Sequence, residues 1–233
     1  MMRSPGLVLA IVGCLAFTAG LAAAVGHIAG TPAPVSLPDV VVDHLAASGV
    51  EHPVTAVLLN FRSYDTLLEI GVLVIAGIAG ISMARTTSLE DPELRTTDSL
   101  LYALQRWFVP LMLMLAGYLL WAGSDRPGGA FQAGAVLAAS GVMMRLGGIP
   151  MEFLRPGLLL RIGLALGFAV FLLVALASAF GGEAFLAYPK AFTKPLIMTI
   201  ETLLTFSIAM VLLALFVSAP VNQAQEPEEG EQK

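Results

Sequence analysis

The sequence predicts an all-α, polytopic integral membrane protein of about six transmembrane helices, and three observations carry that expectation. Of the 233 residues 57% are hydrophobic, only 12% are charged, and the apolar residues gather into runs of about 20, the length that crosses a hydrocarbon core of about 30 Å. Soluble domains are about 45 to 50% apolar and about 25% charged, so a mean hydropathy of +0.84 calls for a second solvent. Barrel strands would alternate in segments of about 10 residues, and no alternation runs through 158–180 or 196–217. The single cysteine, Cys14, excludes an internal disulfide. The net charge of −5 lies in the tail from Glu226 to Glu231 and around Glu90, Asp91 and Glu93. No basic patch invites nucleic acid.

The first segment, Leu7 to Gly26, follows the lone cation Arg3 and reads as a retained helix. Ile11-Val12-Gly13-Cys14 has the form of a lipoprotein cleavage box, but the apolar run continues past Cys14. From Thr31 to Pro53 the chain carries three early prolines, then Asp39, Asp43, His44, Glu51 and His52, which predicts a hydrated acidic loop. Their spacing fixes no metal geometry, so no metal and no cofactor is expected.

The second segment starts at Pro53, a residue suited to the first helical position, and is expected to run to about Arg85 as one helix of about 45 Å. The third, Leu104 to Trp121, and the fourth, Ala130 to Gly147, flank the turn Gly123 to Gly129, which forces an antiparallel hairpin. The fifth, Leu158 to Phe180, and the sixth, Leu196 to Val217, are joined by a loop with Gly181, Gly182, Pro189, Lys190 and Lys194. Membrane insertion keeps Lys and Arg in the cytoplasm. With the amino terminus inside, that side holds Arg3, Arg85, Arg95, Arg106, Arg145, Arg155, Arg161 and Lys233, against Arg62, Arg126, Lys190 and Lys194 outside. Both termini are then cytoplasmic, which requires an even number of crossings.

An ionisable group near the bilayer centre costs about 2.5 to 3.5 kcal/mol on insertion scales, so each one needs a partner, water or a function. Arg62, Asp65 and Glu69 are spaced by three and four residues and would share one helical face. Either Arg62 and Asp65 form an interfacial ion pair while Glu69 meets a neighbouring protein of the complex, or Glu69 exchanges protons in a field set by the other two. Glu201 in the sixth segment, with Thr202, Thr205 and Ser207 nearby, is the remaining candidate for a proton or cation path, or else a hydrogen-bond donor within the bundle. Gly128, Gly129, Ala130, Ala133, Gly134 and their neighbours permit close helix packing. No lysine or histidine lies inside a predicted span away from its ends, and there is no phosphate loop or paired catalytic motif. The chain therefore reads as an incomplete transporter that needs other subunits, and not as an enzyme.

The turn Pro127-Gly128-Gly129-Ala130-Phe131-Gln132-Ala133-Gly134 resembles the B component (MnhB-like) of the Mrp-type multisubunit sodium/proton antiporters, where a third glycine usually stands at the place of Ala130. The stretch Asn60-Phe61-Arg62-Ser63-Tyr64-Asp65-Thr66-Leu67-Leu68-Glu69-Ile70 is similar to the carboxyl-terminal part of the large A component, or to the small protein that replaces it in membrane-bound hydrogenase complexes. The resemblance implies two regions: 1–100, a two-helix region like the end of the A component, and 101–220, a four-helix domain like the B component; the acidic composition of 221–233 adds a disordered tail. It further implies an accessory role next to proton-translocating partner subunits, in contact with lipid, monovalent cations and protons. A membrane arm of a redox-driven complex is the alternative it leaves open.

Overall fold

A computed structural model of the chain describes residues 5–30, 35–83, 99–149, 151–154, 157–180, 186, 188–189 and 192–218. The acidic tail, the turn holding Glu90, Asp91 and Glu93, and Arg3, Arg85, Arg95, Arg155, Lys190 and Lys233 lie outside the described residues. The chain divides into two compact units, Met1–Val40 and Val41–Lys233. The first contains α1 (Pro5–Gly30), a 26-residue helix about 39 Å long.

Two expectations need correction. The supposed loop between the first two segments holds a helix, α2 (Leu37–Ser48). Pro38 sits in its first turn, where a missing N–H costs nothing, and Asp39 complements the positive end of the helix dipole. Val41, Leu45 and Ser48, spaced by four and three residues, form its inward face, with Leu45 against the core and Ser48 fully buried. The density of prolines and charges hid that stripe.

The second segment is not one helix. Pro53–Ala56 forms a short α3, Val57–Phe61 a π-helical turn, and only Ser63–Met83 the regular α4. Arg62 stands at the break with φ −130° and ψ 33°. Side chains stabilise the break by taking its backbone carbonyls: the Thr66 hydroxyl donates to Leu58 O at 2.6 Å and Ser63 to Asn60 O at 3.3 Å. The Asn60 amide reaches back to Ser48 O at 2.9 Å. The 21 residues of α4 span about 32 Å, enough for one crossing without the preceding turn.

The other four helices fall close to expectation: α5 (Ser99–Ala122), α6 (Ala130–Leu146), α7 (Leu158–Phe180) and α8 (Thr193–Ser218). Among the described residues five helices, α1, α4, α5, α7 and α8, are long and apolar enough to cross a membrane, and α6 is a shorter apolar one. On α5, Tyr102, Trp107, Tyr118 and Trp121 are exposed. They sit towards its two ends, as aromatic residues do at the two membrane interfaces.

Helix α8 is the hub of the second unit. It packs on α4, α6 and α7, and Ile197, Ile200, Leu204, Ile208, Val211 and Ala214 along it are buried. Lipid supplies no apolar driving force for this, so close contact and interhelical hydrogen bonds must. A Cβ on Gly134 would stand 2.9 Å from Ile208 and 3.0 Å from Thr205 O, and one on Gly167 3.0 Å from the Leu204 backbone. The Ser207 hydroxyl, fully buried, donates to Leu164 O at 2.6 Å. Ser207→Ala should therefore lower the stability of the detergent-solubilised protein by about 0.6 to 1.7 kcal/mol, read as a lower midpoint of thermal unfolding. An unchanged midpoint would show that the hydroxyl contributes nothing to the α7–α8 contact.

The Asp125–Lys194 ion pair, 3.3 Å long and half exposed, joins the α5–α6 turn to the start of α8. The N–H groups of Glu51 and His52 both donate to Ser124 O, at 3.1 and 3.0 Å. The residues before α4, the α5–α6 turn and the start of α8 thus share one end of the bundle, as alternating crossings require. Tyr188 packs against the core near this end, and burial pushes its hydroxyl above the usual phenol range.

Candidate functional site

Glu201 is the most deeply buried charged residue among those described, 3% exposed. It is the ninth residue of α8, about 12 Å along the helix, where its side chain meets the start of α6. Gly129 precedes α6 with φ 111° and ψ −172° and offers no capping side chain. The cap comes from across the bundle: the Ala130 N–H donates to the Glu201 carboxylate. Oε1 lies so close that a Cβ on Gly129 would be 2.8 Å from it. An anion at the first turn of a helix satisfies free N–H groups and complements the dipole. The second oxygen, Oε2, is buried without a hydrogen-bonding partner among the described residues.

Glu201 lines a cavity of about 260 Å³ bounded by Val54, Thr55, Leu58 and Leu59 of the broken segment, Thr66 of α4, Gly128 to Gln132 and Leu204. Thr55 is held by donating to Gly123 O, and Gln132 stands exposed at the rim. The residues that line the cavity include no lysine, arginine or histidine.

The other expected site residues are placed differently. Arg62 and Asp65 are ion-paired at the helix break, with side chains 70% and 43% exposed. Asp65 and Glu69 lie one turn apart on α4, whereas Arg62 stands outside the helix and shares no regular helical face with them. Glu69 is exposed beside Leu68 and Val72 and is not among the residues that line the Glu201 cavity. The structure therefore separates Glu201 from the Arg62–Asp65–Glu69 group. Gly134 sits in the α6–α8 contact and Gly128 packs on the end of α5, where a Cβ would be 2.5 Å from Leu119 O, whereas Gly129 meets the carboxylate. Thr55 and Thr66, which the cavity brings to Glu201, were not singled out by the sequence. The one signal available was their polarity in otherwise apolar runs.

A bundle of apolar helices long enough to span a bilayer, packed around a buried carboxylate on which a helix start and a broken helix converge, defines a polytopic membrane protein. Residues 100–221, over half of the chain, match the family described as "Domain related to MnhB subunit of Na+/H+ antiporter", and the chain belongs to that family. It is similar to the probable K(+)/H(+) antiporter A/B polypeptide of Rhizobium meliloti (strain 1021), 27% identical over 125 residues; the match spans 43% of this chain and 12% of that relative's length. Its fold is similar to a chain of the membrane-bound sulfane sulfur reductase, an archaeal respiratory membrane complex, with a TM-score of 0.66 and 22% identity over 91% of this chain and 97% of that one. It is also similar to a chain of the Mrp complex from Dietzia sp. DQ12-45-1b, with a TM-score of 0.63 and 21% identity over 97% of this chain and 27% of that one.

Proposed function

We propose that the chain is a membrane subunit of a multisubunit monovalent cation/proton antiporter, set in a bacterial or archaeal cytoplasmic membrane with both termini inside. It transports and performs no bond-making chemistry. The observation that carries this reading is the buried, unpartnered oxygen of Glu201 on a spanning helix, within the residues that match the antiporter-related family. Such a group persists inside a membrane protein where an ion path or a partner compensates it. Sodium follows from the family's description and potassium from the Rhizobium relative's name, so both ions enter the test. In membrane vesicles carrying the whole complex, removal of this chain should abolish the proton flux that Na⁺ or K⁺ elicits, and its return should restore it. Full flux without the chain overturns the reading.

Glu69 faces away from the bundle of its own chain, so its compensation must come from a neighbouring protein of the complex. Glu69→Gln should reduce both flux and the co-purification of partner subunits, with Glu69→Asp intermediate. Unchanged flux together with lost partners leaves it an assembly group only. A second reading, a place in the membrane arm of a redox-driven complex, is favoured by the fold match over nearly the whole length of a respiratory-complex chain. Partners that co-purify with redox cofactors would establish it.

A further inference from the structure

We propose that the cavity beside Glu201 is a binding site for one partly hydrated alkali-metal cation, with Oε2 as its anionic ligand and the hydroxyl oxygens of Thr55 and Thr66 as neutral ligands. The inference rests on the antiporter reading and names what that site holds. Oε2 is buried and unpartnered, while the rest of the carboxylate is engaged by the α6 start. The two threonine protons are already committed, to Gly123 O and Leu58 O, which leaves the lone pairs of both lining hydroxyls free to coordinate.

The lining residues contribute no positive charge, and the nearby Lys194 is paired with Asp125 at 3.3 Å. A cation from solution is the remaining counter-charge among the described groups. The volume of about 260 Å³ far exceeds the share of one water, about 30 Å³, so an ion fits together with several waters. Divalent ions are disfavoured: Ca²⁺ takes about 6 to 8 oxygens, several of them carboxylate, whereas one carboxylate and mainly apolar walls match a single charge.

The test uses native vesicles containing the whole complex and a lipophilic carbodiimide that modifies carboxyl groups in apolar surroundings, with modification of Glu201 read by mass spectrometry. At constant pH and ionic strength, Na⁺, K⁺ or Li⁺ in place of choline should slow the modification, about tenfold once the ion exceeds its dissociation constant about tenfold. The most effective ion identifies the ligand. Thr66→Val should raise the half-protecting concentration about fivefold, the loss expected for one polar contact, and Thr66→Ser should leave it near wild type.

A modification rate equal in choline and in all three alkali ions overturns the site and assigns Oε2 to protons alone. A Glu201 that the reagent never modifies overturns it as well. These failures differ from failure of the functional reading. Cation protection with normal flux in Glu201→Gln leaves the site and removes its role in transport. Lost flux without cation protection does the reverse.

Discussion

Glu201→Gln is expected to lower the cation-elicited proton flux of the assembled complex by about a hundredfold or more, the scale on which a positioned proton-transferring group contributes. The substitution keeps the shape of the side chain, and the amide oxygen can still accept from the Ala130 N–H and hold the start of α6. It removes the charge and the exchangeable proton at Oε2. Glu201→Asp keeps both but draws the carboxylate back from the cavity and from α6, so an intermediate flux is expected. The measurement is fluorescence-monitored proton movement in vesicles on addition of Na⁺ or K⁺, with the protein composition of the complex checked in parallel. Wild-type flux in a fully assembled Gln variant would remove Glu201 from the path.

The second large effect is expected at Gly129. Its φ of 111° and ψ of −172° lie in a region that belongs almost entirely to glycine and costs any other residue about 1 to 3 kcal/mol. Alanine would also place its methyl 2.8 Å from Glu201 Oε1, so strain and displacement of the carboxylate act together. Gly129→Ala should depress thermal stability by that amount or more, and lower flux with it. Gly117→Ala is the control, because a Cβ there meets nothing within 4 Å. Equal behaviour of the two variants would show that the turn tolerates a side chain and that the carboxylate is not held by it.

The spanning helices were legible because their signal is composition over about 20 residues, which local irregularity does not erase. The bounds of α7 agree with the sequence to the residue. The break at Arg62 was not legible: its causes, the Thr66 hydroxyl on Leu58 O and the Asn60 amide on Ser48 O, act between residues 8 and 12 apart, beyond any helical periodicity. Helix α2 was obscured because three inward positions among prolines and charges form a thin stripe. Of the site, Glu201 was readable as a costly residue in an apolar run. Its union with Gly129 depends on the pairing of α6 with α8, which one sequence does not reveal. Glu69 is exposed on α4, because Leu67 and Ile70 take the inward positions of the same turn.

Helix α6 has only 17 residues, about 26 Å against a hydrocarbon core of about 30 Å. The N–H of Gly129 bonds Leu119 O, so α6 starts about one turn below the end of α5. A span shorter than the surrounding hydrocarbon is accommodated by local thinning of the bilayer or by association with neighbouring helices, each at fractions of a kcal/mol per Å. The shortfall at α6 therefore adds a modest free energy in favour of a flanking protein over lipid along its exposed side.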